Sequence, residues 1–183
     1  ACSGSIIQNA VTANTQSIVI DQSNDLLIAR NRLRSTSTTI ANVSLTTSDA
    51  ITFANNILFN GNVGLRSHTL DNSFIQHNII TQTETQACLF TRLNNVVFFN
   101  NVVAANDTGL VYDTSLGGDF GVTHINSNYF INNSVDDFVY SSDPELDLNV
   151  SNTRVSIAEF LWETANPYFE DIVSFRLTSL SDL

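Results

Sequence analysis

The stretch Val96–Asn106, VVFFNNVVAAN, decides how the chain folds. Two short runs of β-branched and aromatic residues flank Asn100 and Asn101, with no glycine or proline between them. The runs are too short and too rich in Val and Phe for helices, and they read as strands. The backbone must still bend where the asparagines stand. Asparagine tolerates left-handed backbone better than other non-glycine residues, and its amide can bond to backbone groups that a bend leaves unpaired. Asn101 is therefore read as a corner residue.

The pattern recurs. An apolar residue three before and another two after the asparagine frame it in Ile6–Asn9–Val11, Ile28–Asn31–Leu33, Phe53–Asn56–Leu58, Ile75–Asn78–Ile80, Phe98–Asn101–Val103 and Phe130–Asn133–Val135. Successive anchors lie 22, 25, 22, 23 and 32 residues apart, and the widest gap holds the glycine-containing insertion SLGGDFGVT. Seven residues before the anchors, from the second onward, stand Asn24, Asp49, Asp71, Asn94 and Asn126. Nine residues after the first five stand Ile18, Ile40, Leu65, Ala87 and Leu110, all apolar and expected to face inward. A period of this length with three short strands predicts an all-β parallel solenoid of about six coils. Its corner amides, Asn9, Asn31, Asn56, Asn78, Asn101 and Asn133, should stack as a ladder.

The coils are assigned to residues 1–150 and a closing element to 151–183. In VSIAEFLWETANP, Ser156 is placed as N-cap and Glu159 completes a capping box, with Pro167 beyond the end. This predicts a short C-terminal helix cap near 157–165, followed by a final irregular strand. The N-terminal end carries no comparable cap. Self-association or a larger parent chain is expected to cover it, because a bare solenoid end exposes strand edges and core.

The corner asparagines and their apolar neighbours resemble the right-handed parallel β-helix of the pectate-lyase-like superfamily over roughly residues 5–142. The F-x-x-N form at Phe53–Asn56, Phe98–Asn101 and Phe130–Asn133 is similar to repeats of chlamydial polymorphic outer-membrane autotransporters, whose companion G-G-A-[ILV] motif this chain lacks. The superfamily hosts lyases, hydrolases, phage tailspikes and adhesins, so the resemblance implies architecture more than activity. Where such proteins are enzymes, it implies an arginine or lysine base with calcium ligands, or paired carboxylates, on an outer face.

Composition narrows the choice. Acidic residues outnumber basic ones by 18 to 7, every basic residue is arginine, and the net charge is −11. That argues against a nucleic-acid partner, which needs a basic face. No apolar run approaches the length of a membrane span. Cys2 and Cys88 are the only cysteines, either bridged to each other or left as a buried Cys88 and a frayed Cys2.

On the outer face, positions eight, ten and twelve after each anchor are mostly small or neutral, Gly64, Cys88 and Gly109 among them. Arg66 and His68 are the catalytic candidates there. Asp113 stands two coils away, about 10 Å at roughly 4.8 Å per coil and beyond hydrogen-bond reach. Asp136, Asp137, Asp143, Glu145 and Asp147 form an acidic cluster that is either a calcium site or a solvated loop. His77 reads as structural and His124 as a turn residue. The sequence thus favours an extracellular or cell-surface structural or adhesive solenoid, filament-forming and without catalysis or any cofactor except calcium. The alternative is a carbohydrate-active domain, lyase-like, hydrolase-like or glycan-binding.

Overall fold

The computed structural model describes residues 2–113, 123–140, 148–151, 169–171 and 176–177. The chain winds into a parallel β-solenoid of about five full turns. A short face stacks six strands, Ala10–Ala13, Arg32–Ser35, Ile57–Phe59, Ile79–Thr81, Val102–Ala104 and Tyr129–Ile131. A long face gathers twelve, usually as two segments per turn, such as Gln86–Asn94 and Val96–Phe99. In one turn the two segments merge into the single strand Ala41–Ala54. Every pairing in these two sheets is parallel, between a strand and its counterpart one turn away. The strands Phe169–Asp171 and Arg176–Leu177 form a separate antiparallel pair. The predicted helix near 157–165 lies outside the described residues.

Alternation along each strand sends every second side chain inward, and the one-turn register stacks like on like. One core column runs Ile6, Ile28, Phe53, Ile75, Phe98 and Ile125. A second runs Val11, Leu33, Leu58, Ile80, Val103 and Phe130. A third runs Ile18, Val43, Leu65, Cys88, Leu110 and Phe138. From the second turn to the fifth these side chains are sealed from water. Each large one contributes about 1.5–3 kcal/mol by burial.

At the corner before the short face, the amides form a continuous ladder. From Asn31 onward, the Oδ1 of each asparagine accepts both the backbone N–H and the Nδ2–H of the asparagine one turn earlier, at 2.9–3.1 Å. Nδ2 also donates to a strand carbonyl, as from Asn78 to Phe53 and from Asn101 to Ile75, both at 2.9 Å. The rungs are Asn9, Asn31, Asn56, Asn78, Asn101 and Asn128.

The sixth rung is therefore Asn128, and not Asn133 as the spacing predicted. Asn133 belongs to a second ladder one corner further on, where its Oδ1 accepts from the N–H and Nδ2–H of Asn106 at 3.2 and 2.9 Å. Asn106 in turn accepts from Thr83. Both Asn128 and Asn133 have apolar residues three before and two after, so the triplet cannot choose between them; the backbone register does. Asn126 likewise leaves its expected column and pairs with Phe99.

The bend itself falls one residue earlier than predicted. Gln8, Arg30, Asn55, His77, Asn100 and Ser127 hold the left-handed backbone, with φ between 53° and 59°. Asn100 makes the turn and Asn101 satisfies the groups the turn exposes. Few of these left-handed residues are asparagine, so the ladder behind them, more than their own preference, holds the conformation.

Other inward expectations shift by a few positions. Val43 occupies the place assigned to Ile40, which is 36% exposed, while Ala87 is buried as expected and Cys88 beside it, aligned with Leu65 and Leu110, is buried too. Gly64, Cys88 and Gly109, expected on the outer face, are enclosed. Corners of unequal length move the count along the chain by one to three residues. Cys2 is exposed beside Asn24, whose N–H donates to its carbonyl, while Cys88 is buried several turns away. Both are free thiols, so no bridge forms. Burial pushes the Cys88 thiol far up, which keeps it protonated and inert.

Candidate functional site

The outer surface of the long face presents two neighbouring columns. One runs Val19, Ser44, Arg66, Leu89, Val111 and Val139. The other runs Asp21, Thr46, His68 and Thr91, with Asp113 following the Tyr112–Phe90 pair to the next level. Arg66 is exposed and His68 half-buried, both on the strand Val63–Asp71. Strand alternation puts them on one face, as the spacing predicted.

His68 Nδ1 lies 2.6 Å from Thr91 Oγ1, and that hydroxyl is also 3.4 Å from the Ser67 carbonyl. The imidazole is thus oriented by a neutral hydroxyl on the next turn. Asp113 is two turns from His68, with Thr91 between them, and its own N–H donates to the Phe90 carbonyl. Arg66, His68 and Asp113 share a face but do not converge on one point. The strip can hydrogen-bond hydroxyl groups through Thr46 and His68, whereas Ser44 and Thr91 are themselves buried. Arg66 can hold an anion at its edge.

The other candidates disperse. His77 is a corner residue; its Nδ1 lies 2.9 Å from Asn100 Nδ2 and its ring meets the Phe99 ring edge-on. His124 sits within the strand Thr123–Asn126 instead of a turn. Asp136 is exposed at the start of the strand Asp136–Tyr140. Asp137 is half-buried and accepts from Asn133 Nδ2 at 2.6 Å. Adjacent strand residues point to opposite sides, so these two carboxylates diverge. Asp143, Glu145 and Asp147 lie outside the described residues. Among the described residues, no three His, Cys, Asp or Glu side chains gather as a metal site.

Sequence reasoning missed a cluster of the opposite charge. Arg30, Arg32 and Arg34 fall within five residues, and the structure puts Arg32 and Arg34 over one aromatic ring, Phe59. The signal was legible as three cations together in an acidic chain.

A family model described as periplasmic copper-binding protein (NosD) matches residues 2–161. The chain belongs to the NosD family. The crystal structure of the periplasmic alginate epimerase AlgG superposes with a TM-score of 0.70 at 15% identity, covering 84% of this chain and 39% of that one. A double mutant of the same epimerase gives 0.67 at 15%, covering 81% and 39%. At that identity the likeness is one of fold, and the chain spans about two-fifths of the epimerase's length. No curated protein matches the sequence. No helix among the described residues is long and apolar enough to cross a membrane.

The family description names copper, and the donor set can be set against it. Copper sites draw on imidazole, thiolate and thioether ligands. The chain has no methionine. Cys88 is enclosed in the core and Cys2 stands alone at the first turn. His68, His77 and His124 occupy separate columns, and His124 lies two turns beyond the other two. These residues do not fit a copper site within the chain. Equilibration with copper followed by a competing chelator should leave less than a stoichiometric equivalent bound. One retained copper per chain, seen by elemental analysis, would contradict that.

Proposed function

We propose that the chain is a non-catalytic, extracytoplasmic β-helix module with structural and adhesive roles. The observation that carries this reading is the separation of Arg66, His68 and Asp113 across successive turns, with His68 tied to a threonine hydroxyl and not to a carboxylate. A general base needs an orienting partner and a reacting group within hydrogen-bond reach. The descriptions of the NosD family and of AlgG as periplasmic support a location outside the cytoplasm. The first turn supports a partner at that end. Asn9 Oδ1 takes no donor among the described residues, and Ile6 and Val11 are only half covered. A coil of a parent chain, or the end of another copy, would complete the ladder.

Incubation with polygalacturonate and with alginate, with and without calcium, tests the reading. Neither unsaturated product by ultraviolet absorbance nor a changed uronate pattern by proton NMR is expected. The second reading, a carbohydrate-active domain, is favoured by Arg66 and His68 sharing one outer strand and by the fold likeness to an epimerase. Turnover that Arg66→Ala or His68→Ala abolishes would install it in place of the first.

A further inference from the structure

We propose that Arg30, Arg32 and Arg34 form a docking site for an acidic polysaccharide. Three of the seven cationic side chains of the whole chain stand in the five residues RNRLR. Arg30 is an exposed left-handed corner residue. Arg32 and Arg34 alternate with the buried Leu33 on the strand Arg32–Ser35 and project from the short face. Their guanidinium carbons lie 5.2 and 5.7 Å from the centroid of the Phe59 ring one turn on. Stacking of this kind orders a flexible side chain through its planar face, and at Arg34 it leaves the N–H edge as a binding fork. Among the described residues no ion pair engages Arg30 or Arg34.

The surroundings suit a long, amphiphilic anion. The column that contains Arg32 continues as Ile57, Ile79, Val102 and Tyr129, all half-buried. These follow one another at roughly 4.8 Å per turn and offer an apolar strip for the C–H faces of sugar rings beside the cationic group. The strand Arg32–Ser35 is paired on both sides, so a peptide cannot dock there by adding a strand.

Charge along the axis places the site. Residues 1–48 hold the three arginines against Asp21 and Asp25, whereas the described residues between 93 and 151 hold Asp107, Asp113, Asp136 and Asp137 and no cation. With a screening length of about 8 Å at physiological salt, the acidic end does not cancel the field at the second turn. The net charge of −11 therefore disfavours a polyanion on average but not at this corner. Bidentate N–H pairs on neighbouring arginines select carboxylate or sulfate groups. The inference deepens the adhesive reading by naming its partner class, and it rests on that reading only for access to such polymers. It concerns a different face from Arg66 and His68, so the turnover and binding assays fail separately.

Calorimetry with polygalacturonate, a sulfated dextran, neutral dextran and poly-glutamate is the test. At about 0.05 M salt one or both acidic polysaccharides should bind, with affinity falling at least about tenfold at 0.3 M. Neutral dextran should not bind. R30Q/R32Q/R34Q should lose at least about tenfold in affinity, whereas Arg92→Gln should bind as the parent does. Arg30→Gln alone, at an exposed corner, provides the readout if the triple variant does not melt like the parent. No binding at low salt, undiminished binding by the arginine variants, or tighter binding of poly-glutamate than of either acidic polysaccharide would overturn the proposal.

Discussion

Asn78→Ala lowers the melting temperature of the chain by roughly 10–15 °C, from a loss of about 4 kcal/mol spread over a domain of this size. The side chain is 1% exposed and serves both neighbouring turns. Its Nδ2 donates to the Phe53 carbonyl and to Asn101 Oδ1. Its Oδ1 accepts the N–H and the Nδ2–H of Asn56. Alanine removes all four bonds and leaves the Phe53 carbonyl and the Asn56 N–H buried without these partners. Each such orphan costs about 1–3 kcal/mol, which is why the loss exceeds the net value of ordinary hydrogen bonds. Asn9→Ala provides the comparison. That residue is exposed and its side chain donates only to Asn31 Oδ1 and the Ile7 carbonyl, so its loss should move the melting point by less than about 3 °C. Equal shifts for the two variants, followed by circular dichroism, would show that the amides stack without stabilising the stack.

Gly109→Ala has a comparable effect for a steric reason. A Cβ there would collide with the backbone carbonyl oxygen of Asp137 on the following turn and come within 2.9 Å of the Phe130 ring. Backbone cannot move aside as a side-chain tip does, and the turn spacing is fixed by the ladders on either side. We expect a loss on the order of 3 kcal/mol, at the upper end of ordinary overpacking. It should appear as a lower denaturant midpoint and as weakened protection of amides in the last described turn by hydrogen exchange. An unchanged midpoint would mean that the turns there separate more easily than their pairing implies.

The fold was legible because a solenoid writes its period into the sequence. The apolar pair around each of Asn31, Asn56, Asn78 and Asn101 reports two core columns and a corner, and all of these coincide with observed registers. The period failed where loop length varied. Between Asn101 and Asn128 the insertion delays the next corner, and the FINN segment that follows imitates the one before it. Counting forward from an anchor also mislaid Ile40 and Cys88, since corners absorb one residue or several without disturbing the strands. The outer-face placement of Arg66 and His68 was legible from alternation alone. Their lack of convergence with Asp113 was also foreseeable, because residues one strand apart in a parallel stack stay a turn apart. The arginine group was hidden by the averaging of charge over the whole chain, which turns a local reversal of sign into a small correction.

The separation of the bending residue from the bonding residue has a consequence for how such a chain can change. Glutamine, arginine, asparagine, histidine and serine already occupy the position just before a rung. Their side chains lie at the rim, and the architecture draws on them only for a φ that the neighbouring amide enforces. One edge of the tube is thus a row of interchangeable display points, a strand spacing of about 4.8 Å apart. Chemistry can be rewritten along that row, one level at a time, while the scaffold beneath it stays the same.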